Sequence, residues 1–314
     1  MNKIKVVFMG TPEFCVPILE MLIKNYNVVG VVTQPDRCVG RKKILTPSPV
    51  KKIAIQHNIC VLTPDKIKND YVDVIALKPD IIITCAYGQI IPIQILNYPK
   101  YGCINVHASL LPKYRGGAPI QHAIINGESK TGITIMYMNE GLDTGDMIEK
   151  AEVIIDNNDN LETLSNKLMI KGASLLERVL PNIINGNIKR EIQDNRIATY
   201  SPVITRNDEL LDFNKKSLEI YNHVRALSPN PGAYAVLDNK VIKIYASKVS
   251  DHVYMDAKNG EIVKIYKDGI GISTSDSEII ITDIKIEGHK RVLVKDFLNG
   301  KNNSDLIGKV FNKG

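Results

Sequence analysis

An Asn-x-His pair, Asn105 and His107, is followed by a loop broken by proline and glycine, SLLPKYRGG (109–117), and then by an acidic glycine turn, GLDTGD (141–146). Together these segments hold an amide, an imidazole and a carboxylate. Such groups suit carbonyl transfer, in which donors meet a developing oxyanion and a base meets the attacking nucleophile. The run GCINVH (102–107) is apolar and β-prone. Side chains two apart on a strand share a face, so Asn105 and His107 are expected to point into one cleft, with Cys103 lining the same face. A strand over TGITIMYMN (131–139) leads into the turn that carries Asp143, which the chain can fold back toward the pair. An isolated Asn-x-His is more often a plain strand end, and a glycine-flanked Asp suits an ordinary turn. Their combination makes a candidate triad of Asn105, His107 and Asp143. No metal is expected, because His and carboxylates do not recur at ligand spacing. Cys103 is the nearest thiol, but direct transfer needs no covalent intermediate.

The elements that must position these groups can be read from hydrophobic periodicity. Strand-like runs at 3–9, 26–33, 59–63, 80–86 and 103–107 alternate with stretches of helical period such as PEFCVPILEMLIKN (12–25). That alternation predicts an α/β fold with a doubly wound, mostly parallel, Rossmann-like sheet, whose binding crevice lies at the C-terminal strand ends. The first turn, GTPEF (10–14), reads as a helix start with Thr11 as N-cap and Pro12 at the first helical position. It lacks the GxGxxG of dinucleotide sites, which removes the main support for nucleotide binding. A long amphipathic helix is predicted over 160–184, and the polar stretch 186–205 reads as a linker crossing a surface. Beyond a helical stretch at 217–227 come short alternating strands, AYAVLD, KVIKIYASKV, GEIVKIYKD, GIGISTS and EIIITDIKI, which suggest a small OB-like β-barrel. The expected organisation is a catalytic domain over 1–188, a linker over 189–205 and a barrel domain over 206–314.

The chain has 314 residues, above the usual size of one core, with 44% hydrophobic residues and 24% charged. The apolar run after the first Lys residues is too short for a signal-peptide core, and no apolar stretch is long enough to span a bilayer, so a cytoplasmic protein is expected. Five cysteines without CxxC spacing read as reduced thiols. Between Arg37 and Thr63 lie six basic residues, Arg37, Arg41, Lys42, Lys43, Lys51 and Lys52, and no acidic one, a count equal to the formal net charge of +6. The segment QPDRCVGRKKILTPSPVKK (34–52) is too long for a minimal β-α turn and should project as a mobile loop able to follow nucleic-acid phosphates. A weaker basic cluster, Lys285, Lys290, Arg291 and Lys295, is diluted by Glu287 and Asp296.

The block NVHASLLPKYRGGAPIQ (105–121) resembles the signature of the formyltransferases and hydrolases that use 10-formyltetrahydrofolate. The resemblance runs over nearly the whole chain through FMGTPEF (8–14), VVTQPDR (31–37), LTPSPVK (45–51), GLDTGDM (141–147) and RALSPNPGAY (225–234). By it, Asn105, His107 and Asp143 are catalytic and Ser109, Leu110, Leu111 and Pro112 form a folate-contacting loop. Ala86, Tyr87, Gly88, Gln89 and Ile90, in AYGQIIP (86–92), line the pterin pocket. The QPDR–SPVK loop and the C-terminal domain resemble the branch of the family that formylates methionyl initiator tRNA, which implies tRNA contacts by Arg37, Arg41, Lys42 and Lys43. The reaction so implied is direct attack of the uncharged α-amine of the methionyl ester on the formyl carbon, through a tetrahedral oxyanion. Asn105 and His107 then serve as donors worth about 2.7–4 kcal/mol each. Asp143 orients His107 and takes a proton, helped by a nearby apolar wall that raises its basicity. The same block could serve a formyltransferase of a sugar nucleotide or purine precursor, or a hydrolase releasing formate. A noncatalytic RNA-binding protein is the alternative from another class. A monomer is expected.

Overall fold

A computed structural model describes residues 4–40, 43–299 and 304–311. The chain forms two compact units. One holds Met1–Pro119, Lys130–Ile154 and Ser165–Pro202; the other holds Ile120–Ser129, Ile155–Leu164 and Val203–Gly314. Residues 189–202, read above as linker, therefore belong to the first unit.

In chain order the first half comprises β1 (Lys5–Gly10), α1 (Val16–Asn25), β2 (Asn27–Val32), β3 (Arg37–Val39), β4 (Ile44–Thr46), α2 (Pro49–Gln56) and β5 (Val61–Leu62). It continues with α3 (Tyr71–Ala76), β6 (Ile81–Cys85), α4 (Ile93–Leu96), β7 (Cys103–His107), α5 (Pro119–Ile125), β8 (Lys130–Tyr137), β9 (Met147–Ile154) and α6 (Leu161–Ile184). Seven strands form one sheet in the order β5-β2-β1-β6-β7-β8-β9. The first five run parallel; β8 is antiparallel to β7, and β9 is antiparallel to β8 and so returns to the direction of the first five. The chain winds outward from β1 to β5 and then returns to β6 on the other side of β1, which makes the topological switch point at which crevices open in such sheets. Central strands read as unbroken apolar runs because both faces are covered: Val6 to Met9 and Ile81 to Ile83 are all buried. The sheet approaches α6 closely at Gly172, where a Cβ would sit 3.2 Å from the Val106 side chain. Val106 faces away from Asn105 and His107, so this packing anchors β7 from behind.

One local expectation is corrected and another gains detail. Thr11 does not cap a helix: Pro12 precedes a 3-10 turn, Glu13–Cys15, and α1 begins at Val16. The Thr11 hydroxyl instead donates to the Tyr87 carbonyl at 3.2 Å, tying the end of β1 to the loop after β6. In the basic segment 34–52, expected above as a mobile loop, β3 and β4 pair as an antiparallel ribbon. Its base is pinned by Thr33 and Ser48 hydroxyls at 2.8 Å and by a Lys51–Asp36 ion pair at 2.8 Å. Ser48 also caps α2 by accepting from Lys51 N–H.

The second half adds α7 (Ser217–Ala226), β10 (Ala233–Leu237), β11 (Lys240–Ser250), β12 (Ile262–Ile265), β13 (Ile270–Ser273), β14 (Glu278–Ile286), β15 (Val292–Leu293) and α8 (Val294–Leu298). These strands form one antiparallel sheet, β10-β11-β14-β13-β12, with β15 beside β14. Ile220 and Val224 of α7 pack with Ile244, Ile272 and Ile279 in its core. The expected OB-like closure is not made among the described residues. Both end strands pair with short flanking segments instead, β10 with Leu210 and the start of β12 with Lys309 and Val310. An edge whose N–H and C=O groups are already met has no need of the opposite edge. No helix among the described residues is long and apolar enough to cross a membrane.

Candidate active site

The period of two along β7 turns Asn105 and His107 to one face at the C-terminal end of the strand, beside the end of β6. Thr84, the β6 partner of Asn105, donates its hydroxyl to Asn105 Oδ1 at 3.0 Å. That bond aims the amide nitrogen outward, where Nδ2 donates to Asp143 Oδ1 at 3.3 Å. An amide nitrogen carries two hydrogens, so one remains for another acceptor.

His107 is 6% exposed, with Nε2 2.9 Å from the Tyr114 carbonyl. A carbonyl only accepts, so Nε2 carries the hydrogen and the reactive nitrogen of the neutral ring is Nδ1. Nδ1 lies 3.7 Å from Asp143 Oδ2. The sequence reading gave the task of orienting the ring to Asp143, whereas here the Tyr114 carbonyl shares it. His107 can offer an N–H to an oxyanion only from Nδ1, in the protonated ring.

The Asp143 carboxylate receives the Gly116 N–H at 2.9 Å as well as the Asn105 amide. The three groups predicted from sequence are thus brought together, by β7 for two and by the turn after β8 for the third. Asp143 holds φ at +50°, a region that Asp tolerates better than most residues. Its turn is closed by Tyr137 N–H donating to the Asp146 carbonyl at 2.9 Å. Leu111, Met136 and Met147 form an apolar cluster, and Met136 approaches Gly145 in the turn. What meets the carboxylate oxygens, however, is a pair of N–H donors rather than the expected apolar wall.

The loop 108–118 is held along its length. Thr134 Oγ1 receives Leu111 N–H at 3.1 Å and donates to the Ser109 carbonyl at 2.7 Å, while Ser109 Oγ donates to the Lys113 carbonyl at 2.6 Å. Lys150 from β9 reaches the Leu111 carbonyl at 3.1 Å. Residues 193–201 complete the support, as Arg115 N–H donates to the Thr199 carbonyl at 2.9 Å and Ser201 N–H returns to the Arg115 carbonyl at 2.7 Å. Ser201 Oγ lies 3.1 Å from the Tyr114 carbonyl, the same oxygen that holds His107. Gly116 (φ +118°) must be glycine, since a Cβ would stand 2.8 Å from the Ser201 carbonyl.

This supporting segment is what sequence reading missed. Gln193 and Arg115 are 5% and 1% exposed. Gln193 Nε2 donates to the carbonyls of Asp143 and Gly145, each at 2.8 Å, and its Oε1 accepts from Arg115 Nε at 3.0 Å. Nothing in the aperiodic, polar run 186–205 marks those partners. The one available signal is a charged residue inside the KYRGG motif.

The residues expected around folate are placed unevenly. Ser109 and Leu111 are buried, and Tyr87 sits in the core with Ile67, Val74 and Ile91. Ala86 (φ +43°) and Gly88 (φ +88°) are exposed, as is Ile90 at 88%. Gln89 is spent on the loop before α3, accepting from Ile67 N–H at 2.8 Å. Pro112 is buried and Leu110 half-buried. In the basic ribbon Arg37 and Lys43 are exposed, and Arg41 and Lys42 lie outside the described residues. Arg291 of the second basic cluster is taken up by Asp283 at 2.7 Å.

Cys103 shares the parity of Asn105 but not the cleft. It is 2% exposed, with Sγ 3.6 Å from the Ile95 carbonyl of α4, and burial pushes its thiol up to about 12. A hydrogen bond with Cys15, then burial, raises the Cys85 thiol as well. The native protein at neutral pH is therefore expected to alkylate at the exposed Cys38 and Cys60 and to spare Cys15, Cys85 and Cys103. Mass spectrometry after brief iodoacetamide treatment checks this; rapid labelling of Cys103 would reopen a thiol mechanism.

An amide, an imidazole and a carboxylate thus meet at the C-terminal end of β7 in a doubly wound sheet, and the matching family model is "Formyl transferase", over residues 2–180. A second, "Formyl transferase, C-terminal domain", matches residues 203–302. The chain belongs to the formyl transferase family. It is 51% identical over 300 residues to the methionyl-tRNA formyltransferase of Bacillus subtilis (strain 168), covering 94% of each chain. The methionyl-tRNA formyltransferase of Staphylococcus epidermidis is 46% identical over 309 residues, 98% of this chain and 99% of that one. Among solved structures, WlaRD, a sugar 3N-formyl transferase, shares the fold at TM-score 0.67 and 23% identity, covering 92% of this chain and 100% of that one. A methionyl-tRNA formyltransferase from Clostridium thermocellum does so at TM-score 0.57 and 17% identity, covering 90% and 98%.

Proposed function

We propose that this protein transfers the formyl group of 10-formyltetrahydrofolate to the α-amine of methionyl initiator tRNA, acting as a cytoplasmic monomer. Identity of about one half over nearly full length to two methionyl-tRNA formyltransferases is the observation that carries the substrate assignment. The meeting of Asn105, His107 and Asp143 carries the chemistry.

The loop after β6 suits the donor. Exposed Ala86, Gly88 and Ile90 lie just beyond Cys85, and Thr84 and Asn105 are paired next to them, so a pterin seated on this loop would place the nearby N10 formyl group toward Asn105. Leu110 supplies a further half-buried apolar surface; Ser109, Leu111, Pro112, Tyr87 and Gln89 shape the two loops from within. The free hydrogen of Asn105 Nδ2 and, in the protonated ring, His107 Nδ1–H then meet the oxygen as it gains charge. Asp143 takes the proton released when the amine nitrogen bonds to the formyl carbon. The bond from that carbon to N10 breaks, the proton held by Asp143 passes to N10 and restores the carboxylate, and tetrahydrofolate and the formylated ester leave. Exposed Arg37 opens the basic ribbon at its base and exposed Lys43 precedes β4, and with Arg41 and Lys42 they would meet acceptor-stem phosphates, which position a substrate without reading its sequence.

The test is a single-turnover assay with methionyl initiator tRNA beside methionyl elongator tRNA. Rapid formylation of the initiator is expected, with Asn105→Ala slower by about 10²–10³-fold. Formate release or formylation of a small amine, without tRNA product, would move the activity to a sibling enzyme.

A further inference from the structure

The buried pair Arg115 and Gln193 touches none of the groups proposed to meet substrate, yet it joins the segments that carry them. Arg115 stands between Tyr114, whose carbonyl holds His107, and Gly116, whose N–H holds the Asp143 carboxylate. Its Nε donates to Gln193 Oε1 at 3.0 Å and its Nη2 to Asn195 Oδ1 at 2.8 Å. A guanidinium has no acceptor, so the amide of Gln193 can face it only with oxygen, and the NH₂ must point the other way. There it meets the carbonyls of Asp143 and Gly145, one from each side of the turn that keeps Asp143 at φ +50°. The positive charge polarises the amide and strengthens both outgoing bonds.

We propose that the Arg115–Gln193 pair is a positioning element for formyl transfer: it sets how closely the Asp143 carboxylate approaches His107 Nδ1 by clamping the backbone of the turn to the loop that orients the imidazole. Gln193 is the positioning residue of the pair, because it alone touches the turn. This rests on the catalytic reading of Asp143 given above. A misplacement of about 1 Å at a reacting group costs about 10²-fold in rate, which is the scale expected here.

Gln193→Glu and Gln193→Met in the full-length protein test it. Glu keeps the size and can pair with Arg115, but turns an acceptor oxygen toward two carbonyl oxygens; Met keeps the length and has no donor. Both are expected to lower kcat by about 10²-fold. KM for folate and for tRNA should stay close to that of the parent, and the pH profile of kcat should shift because the spacing of the Asp143–His107 dyad has changed. In an Asp143→Ala background the same Gln193 substitutions should cost almost nothing further. Parental kcat and pH profile in either folded variant, or a full second loss on top of Asp143→Ala, would overturn the proposal. Should Asp143→Ala itself run at the parental rate, the catalytic reading fails first, and the two failures are thereby told apart.

Discussion

Asp143→Ala is expected to lower the single-turnover rate of formyl transfer by about 10²–10⁴-fold, the span usual for loss of a positioned base. Asp143→Asn should fare no better, although it is nearly the same shape. Both carboxylate oxygens accept N–H groups, Oδ1 from Asn105 and Oδ2 from Gly116. An amide must place its own NH₂ against one of those donors, which either turns the Asn105 side chain away or releases the loop at Gly116. The proton acceptor is lost in both variants, and in the second the oxyanion donor is disturbed as well. KM for either substrate should change little, since Asp143 is proposed to act on the amine proton rather than on binding. A variant at parental rate would remove Asp143 from the chemistry and leave Asn105 and His107 as a donor pair served by some other base.

Gly145→Ala is expected to be the most damaging single methyl group in the site. A Cβ at this position would stand 1.9 Å from the Tyr137 carbonyl oxygen and 2.9 Å from its carbon. Neither atom is free to move: Tyr137 pairs with Ile104 across β7 and β8, and its own N–H closes the turn onto the Asp146 carbonyl. Overpacking of this kind costs about 1–3 kcal/mol, and relief has to come from opening the turn. An opened turn also carries the Gly145 carbonyl off Gln193 and Asp143 away from His107, so activity should fall by about 10²-fold or more. The control is Gly186→Ala, where φ is +73° and nothing lies within 4 Å of the added atom. That change should cost no more than about 1–2 kcal/mol and leave turnover untouched. Urea midpoints and turnover measured on both variants check the contrast; a Gly145→Ala protein with parental stability and rate would show that the turn has room the structure does not give it.

The sequence by itself determined which side chains gather at the candidate site, the winding of the first sheet and the strands of the second. Each is written in a local pattern: parity along GCINVH places Asn105 with His107, strand and helix periods alternate through the first half, and short alternating runs mark β10 to β14. Parity also misled, because it put Cys103 on the face of Asn105 and could not show that α4 covers that end of the strand. Only the tertiary structure decided the rest. Thr11 looked like a helix cap because its natural local partner is the next turn, yet a carbonyl far along the chain at Tyr87 takes its hydroxyl. The basic segment looked like a loose loop because β3 and β4 are three residues each, too short to show a period, and its base is closed by Thr33, Ser48, Asp36 and Lys51. The barrel looked closed because strand patterning says nothing about which segment covers an edge. The stretch around Gln193 looked like a linker because its order comes from hydrogen bonds to groups some fifty to eighty residues away, the carbonyls of Asp143 and Gly145 and the guanidinium of Arg115. Such bonds leave no periodicity in either partner, and they form only after β7, the turn and residues 193–201 have been brought together.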